Sequence, residues 1–259
     1  MSLSRRRSLM LLPTLGLAGA AHAQPSSDAA SLKLVVLDIG GTLVVDGGEV
    51  ADTITSTLGR HGIAVDPKDL VEWRGASKPD IVRHFVGKQI HDNATLMQTS
   101  KTIYDEFVRN LGNAYEGAKP IPGALDAVKE LKAMGLTLAS TTGFDRALAM
   151  EILHRLGFQT YLSALVAGDD VTMGRPAPYM LFRAMEAARV EDVRNVMAVG
   201  DTPLDLQAAN NAGLGWAIGV WSGAATQERL RKERNSAVLP SVAALPELIR
   251  RGLPQTNCH

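Results

Sequence analysis

The chain has 259 residues, 46% of them hydrophobic and 21% charged, with 27 basic against 27 acidic side chains. That length suits one domain, or a core domain carrying an insertion, and the even charge balance gives no electrostatic footprint for a nucleic acid or another polyanion. The single cysteine, Cys258, excludes an intrachain disulfide framework and a cysteine-rich metal site.

The N-terminus reads as an export signal over residues 1–23. Arg5, Arg6 and Arg7 are followed by an apolar run from Leu9 to Ala21, and Ala-His-Ala precedes Gln24. The run is too short to span a bilayer. The stretch SRRRSLM resembles a twin-arginine signal, with Ser8 where an aromatic is usual and Met10 where lysine is usual. The alternative is a basic, alanine-rich tail. Removal would take three arginines and no acid from a chain with 27 of each sign, leaving a net −3. The expected location is periplasmic or secreted. No later segment is long and apolar enough for a membrane span.

From Leu32 onward short apolar runs alternate with amphipathic stretches. LKLVVL (32–37) is nearly continuous in apolar residues, as a parallel strand covered on both faces should be. Residues 48–117 break the alternation. Helix signals run from Glu49 to Arg60, Asp66 to Trp73, Pro79 to Val86 and Ala94 to Leu111, with no convincing strand among them. Asp66-Pro67 is an N-cap followed by proline at the first helical position. The segment reads as a helical module inserted after the first strand.

GAKPIPGA (117–124) marks the return to the core. Helices are then expected at Ala124 to Met134, Asp145 to Leu156, Pro178 to Ala188 and Pro203 to Ala212. Strands are expected at LTLAS (136–140), ALVAG (164–168), NVMAVG (195–200) and GWAIGV (215–220). Gly135, Gly157 and Gly213 sit where helix C-terminal glycines belong. Such alternation implies βαβ units and a parallel sheet.

Ligands of open parallel sheets gather at the carboxyl ends of strands. Asp38, Gly40, Gly41 and Thr42 come after the first strand, and Thr141, Thr142 and Gly143 after the second. GRPAP with Arg175 comes after the third, and Asp201, Thr202 and Asp205 come after the fourth. This set suits magnesium-assisted phosphoryl transfer: a carboxylate nucleophile, hydroxyls and amides for phosphoryl oxygens, a cation, and further oxygen ligands for Mg²⁺. Gly41, Thr42, Thr142, Gly143 and Arg175 are the candidates for holding the phosphoryl group. Each has a plainer reading. Asp38 alone could end a turn, Asp201 or Thr142 could cap a helix, and Arg175 could be a surface arginine. The acids of GDD (168–170) read as a cap and turn.

In their order and spacing, DIGGTL, TTG, GRPAP and GDTPLD resemble the four motifs of the haloacid dehalogenase superfamily across nearly all of residues 32–250. The resemblance implies a three-layer, Rossmann-like α/β core over 32–47 and 118–250, with an inserted α-helical cap over 48–117. It implies Asp38 as nucleophile and metal ligand, Asp201 and the Gly40 carbonyl as Mg²⁺ ligands, Thr142 on the phosphoryl group and Asp205 supporting the metal.

STTGF (140–144) with GRPAPYM is similar to phosphonoacetaldehyde hydrolase and its phosphonatase-like relatives, which also lack the second aspartate of the first motif. In phosphonoacetaldehyde hydrolase a cap lysine forms a Schiff base with the substrate aldehyde, and Lys78 stands at the matching place. The chain departs from that pattern at Glu49, Arg74, Ile81 and Phe144, where the family has cysteine, methionine, histidine and tyrosine. Lys78 therefore has three readings: substrate contact, Schiff-base former, or solvated lysine. Arg74 and Arg83, near it in sequence, could lower its pKa.

Glycine at position 40 stands where a typical phosphatase of this superfamily has its acid–base aspartate. General acid–base assistance is worth roughly 10²- to 10⁴-fold in rate. Substrates whose leaving group needs no proton from that position should suffer least. Three functions are open: a phosphonatase-like hydrolase of a small phosphonate or phosphorylated metabolite, a phosphoglycolate-type phosphomonoesterase using a cap residue such as Lys78 or Glu49, or a non-catalytic phosphate- or metal-binding relative. Oligomeric state has no signature in the sequence.

Overall fold

The computed structural model describes residues 31–254. The export signal expected over 1–23, and Cys258, lie outside them. Six parallel strands form one sheet: β1 (Leu34–Asp38), β2 (Thr137–Thr141), β3 (Ala164–Val166), β4 (Val196–Gly200), β5 (Trp216–Val220) and β6 (Ala237–Leu239). Their order across the sheet is β3-β2-β1-β4-β5-β6.

The period-two alternation of β1 explains its place at the centre. Val35 and Leu37 enter one hydrophobic cluster, and Leu34 and Val36 enter the other. All four are essentially inaccessible to solvent, which is worth roughly 1.5–3 kcal/mol for each side chain. With β2 and β4 bonded to its two edges, this strand leaves Asp38 little freedom of position.

Helices α5 (Ala124–Ala133), α6 (Arg146–Arg155) and α10 (Leu245–Arg251) contribute to the first cluster. Helices α7 (Tyr179–Ala188), α8 (Pro203–Asn211) and α9 (Gln227–Arg231) contribute to the second, which completes the three layers. The expected core helices and strands all appear, with ends shifted by one or a few residues. The short elements β6, α9 and α10 add to them without a sequence signal, because a three-residue edge strand and short helices give too little periodicity to read.

Four helices stand between β1 and α5: α1 (Glu49–Arg60), α2 (Pro67–Glu72), α3 (Lys78–Gly87) and α4 (Asn93–Ala114). The Asp66 carboxylate accepts from the Lys68 amide at 3.0 Å and Pro67 opens α2, as the N-cap-then-proline pattern requires. Asp92 caps the long α4 through the Thr95 amide at 2.8 Å. Helix α4 packs along α1 and α3, and Ile54, Leu58, Phe85, Ile103 and Phe107 fill the space between them.

The loop entering α3 is pressed onto the sheet layer. Gly75 has φ +90°, and a Cβ there would strike the Thr202 hydroxyl. Three residues on, the Lys78 amide donates to the Gly143 carbonyl at 3.2 Å. No helix among the described residues is long and apolar enough to cross a membrane.

Candidate active site

Asp38 ends β1, and Asp201 directly follows β4. The two strands are neighbours although far apart in sequence, so this is the point where the strand order reverses and open parallel sheets form a binding crevice. Carboxylate oxygens of Asp38, Asp201 and Asp205 lie within 4.8 Å of one another, and all three residues are buried.

One guanidinium serves this acidic cluster. Arg175 Nη2 donates to Asp38 Oδ1 at 2.6 Å, and Nη1 donates to Asp205 Oδ1. Burial outweighs this attraction at Asp38: together with repulsion from Asp205 it pushes the carboxyl up to about 6. Asp201 is held well above the usual carboxylate range by burial, then by Asp38 and Asp205. Three buried carboxylates against one guanidinium leave excess negative charge, and the donors are all oxygens. That set fits a hard divalent cation such as Mg²⁺.

Thr202 and Asp205 form a capping box at the start of α8. The Asp205 Oδ2 accepts from the Thr202 amide at 3.0 Å and from its hydroxyl at 2.6 Å. Thr202, not Asp201, is therefore the helix cap. The Asp201 carboxylate instead accepts from the Ala224 amide at 2.6 Å and faces the cleft. Gly41, at φ +72°, permits this packing, since a Cβ there would run into the Asp201 carboxylate.

Of the residues singled out from sequence, Asp38, Gly40, Lys78, Thr142, Gly143, Arg175 and Asp201 line one cleft. Gly41, Thr42 and Asp205 are not part of that lining. The Gly41 amide is spent on the Val44 carbonyl at 2.7 Å, and the buried Thr42 hydroxyl has no hydrogen-bond partner. Thr142 Oγ1 accepts from the Phe144 amide at 3.2 Å. The acids of GDD act structurally: Asp169 and Asp170 bind Arg146 on the opening turn of α6.

Lys78 is the first residue of α3 and is buried, so the solvated-lysine reading fails. Its Nζ stands 5.4 Å from the centroid of the Phe144 ring and has no carboxylate within ion-pairing range among the described residues. Burial, reinforced by Arg175 and partly offset by Asp38, Asp46 and Asp201, lowers the ammonium to about 8. Arg83 plays no part here, because it is paired with Asp80 at the surface.

Sequence reasoning missed Asp46 and the apolar wall of Val50, Ala51 and Leu70, and it met Ile81 and Phe144 of that wall only as departures from a family pattern. Asp46 lies in the loop before α1, where an acid near a helix start ordinarily reads as a cap. It lines the cleft while its Oδ1 accepts from the Gly48 amide at 3.0 Å. Glu49 does not line the cleft; its carboxylate is held by the Gly47 amide at 2.6 Å.

The comparisons with known proteins point the same way. The family model described as haloacid dehalogenase-like hydrolase matches residues 32–213. Phosphonoacetaldehyde hydrolase of Bacillus cytotoxicus is 30% identical over 240 residues, covering 88% of this chain and 90% of that protein. The Bordetella pertussis protein of the same name is 29% identical over 201 residues, covering 73% and 72%. Among solved structures, a phosphonoacetaldehyde hydrolase-like protein from Oleispira antarctica superposes with a TM-score of 0.72 at 22% identity, covering 95% of this chain and 99% of the other. The β-phosphoglucomutase of Clostridium difficile gives 0.74 at 15% identity, with 85% and 96% covered, which speaks to the fold alone. With the family model spanning most of the chain and the matching acids gathered at the switch point, this protein belongs to the haloacid dehalogenase-like hydrolases, as a member of phosphatase- or phosphonatase-like type.

Proposed function

We propose that the chain is a Mg²⁺-dependent hydrolase that cleaves a small phosphonate or phosphorylated metabolite through an aspartyl phosphate on Asp38. The observation that carries this reading is the buried Asp38 carboxylate, held by Arg175 at 2.6 Å in a three-acid cluster of which Asp38 and Asp201 line the same cleft as Lys78. Residues 48–117 act in this reading as the cap that selects the substrate.

With Oδ1 engaged by Arg175, the second oxygen of Asp38 attacks phosphorus as the bond to the leaving group breaks. Thr142 and the Gly143 backbone hold phosphoryl oxygens, and Lys78 supplies a cation beside them. Water then attacks the aspartyl phosphate, releasing phosphate and restoring the carboxylate. When bound, Mg²⁺ would neutralise charge on the transferring group, with Asp38, Asp201 and the Gly40 carbonyl as ligands and Asp205 in support.

Gly40 carries no proton. In the phosphonatase-like route, Lys78 condenses with a substrate carbonyl, releasing water. C–P cleavage leaves an enamine on Lys78 with no proton needed from position 40, and protonation at carbon and hydrolysis by water then free the carbonyl product and the amine. A phosphomonoesterase of phosphoglycolate type is the second reading. It is favoured by Asp46, whose carboxyl group is in the cleft lining, where such a reaction needs an acid–base group that Gly40 does not supply.

The test is turnover of phosphonoacetaldehyde, acetyl phosphate, an aryl phosphate and phosphoglycolate, with and without Mg²⁺. Activity that survives Asp38→Asn removes Asp38 as nucleophile. Borohydride reduction during turnover of a carbonyl substrate should leave an adduct on Lys78, and its absence rejects the Schiff base. If no substrate is cleaved yet phosphate and Mg²⁺ bind with measurable heat, the protein is a binding relative. We also propose export through residues 1–23 to the periplasm or beyond, and N-terminal sequencing of the mature protein should begin at Gln24.

A further inference from the structure

Arg74 is the feature of the cleft that the proposed reaction does not use. It sits in the loop between α2 and α3, partly buried, and lines the same cleft as Asp38 and Lys78. Among the described residues its one side-chain hydrogen bond is from Nη1 to the Ala224 carbonyl, at a long 3.4 Å. The acids nearest to it in sequence are committed elsewhere. Glu72 pairs with Arg229 at 2.5 Å, Asp69 serves His84 and Lys88, and Asp80 takes Ser77 and Arg83. A guanidinium half out of water, with five donors and no acidic partner, is suited to a carboxylate.

Its position separates it from Lys78. Lys78 reaches toward Gly143, its Nζ standing 3.4 Å from where a Cβ on that residue would lie. Arg74 instead lies against Ala224, whose amide donates to Asp201, so it stands at the Asp201 end of the cleft and not at Gly143. Leu70 and Ile81 supply apolar lining. The loop cannot readily carry Arg74 elsewhere, because Gly75 is wedged against Thr202. Asp46, the remaining acid of the lining, is turned to the Gly48 amide.

We infer that Arg74 binds a carboxylate on the leaving group, so that the substrate is a small phosphate or phosphonate bearing a second anionic group. This rests on the hydrolase reading and narrows it to a substrate class. Arg74 thereby acts as a specificity residue, pairing with the carboxylate through its fork of N–H donors while Asp38 attacks phosphorus.

The experiment compares matched substrates. Phosphoglycolate is set against ethyl phosphate for O–P cleavage, and phosphonopyruvate against phosphonoacetaldehyde for C–P cleavage. Wild-type protein with Mg²⁺ should prefer the carboxylate member of the pair it cleaves. Arg74→Gln should reduce that preference in kcat/KM by about tenfold to a hundredfold, the range of a lost charge-assisted hydrogen bond, with the change mainly in KM. Arg74→Lys should retain part of it. A wild type without preference, or a preference unchanged in Arg74→Gln, overturns the inference.

Should no substrate turn over, the hydrolase reading has failed, and calorimetry then decides the inference separately. Phosphoglycolate should bind Asp38→Asn protein more tightly than ethyl phosphate, and that margin should shrink when Arg74→Gln is added. Equal affinities overturn the inference.

Discussion

The Phe144 ring covers Gly40. A Cβ built on Gly40 would stand 3.5 Å from Phe144 Cζ, an ordinary contact, but an aspartate side chain would have to continue into the space beside the ring. Gly40 does not have the positive φ that would demand glycine. The backbone therefore admits a side chain at this position, and its nearest neighbour is the Phe144 ring, itself buried and set edge-on to Tyr115 at a centroid distance of 5.2 Å.

Gly40→Asp by itself should raise turnover of an alkyl phosphate by less than the full acid–base factor. Gly40→Asp combined with Phe144→Ala should gain more, approaching the roughly 10²-fold lower end of general acid–base assistance. Steady-state kcat/KM of the two variants and of Phe144→Ala checks this. A single Gly40→Asp that matches the double variant would show that Phe144 is no obstacle.

Removing Arg175 should damage both stability and turnover. Arg175→Met leaves Asp38 and Asp205 buried without their shared cation, a loss of about 3–5 kcal/mol. Adding Asp38→Asn should recover part of that loss, because it removes one of the stranded charges. Denaturant melts of the two single variants and the double variant form the cycle that measures the coupling. Additive losses would contradict the ion pair.

Lys78 should cost the fold stability near neutral pH. Its ordinary value of 10.5 is lowered to about 8 in the folded protein. Between these values the unfolded chain binds the extra proton, so Lys78's contribution to stability rises with pH from about 8 to 10.5. The penalty is present in full below about 8 and vanishes above 10.5. Lys78→Met should therefore stabilise the protein at pH 7 by up to roughly 3 kcal/mol, and the gain should fade toward pH 10.5. Melts across this range decide it. In turnover, a Schiff base needs the neutral amine, so a carbonyl substrate should react faster as pH rises through about 8, whereas a purely cationic contact gives the opposite slope.

Mg²⁺ should raise the melting temperature by relieving the repulsion among Asp38, Asp201 and Asp205. Saturation at 100 times Kd corresponds to about 2.7 kcal/mol. Asp201→Asn should weaken that metal-dependent shift while stabilising the metal-free protein, since it removes a buried charge. A thermal shift by Mg²⁺ that is the same in Asp201→Asn would exclude Asp201 as a ligand.

Much of the molecule is legible in its sequence. The continuous apolar run before Asp38 and the spacing of apolar segments are enough to place the strands of a parallel α/β core. Parallel sheets bring their strand ends together, so the residues just past each apolar run already include Asp38, Thr142, Arg175 and Asp201. These are local signals: a strand's two-faced burial and a helix's cap are written in consecutive residues. Which neighbours meet in space is not. By sequence, Asp46 looks like a helix-start acid, Arg74 like a departure from a pattern, and Phe144 like a conservative change. Only the closing of α1–α4 over the sheet, with Gly75 against Thr202, puts them into one cleft. The protonation of Lys78 is decided at the same level, because burial and the field of Arg175 act through space and not along the chain.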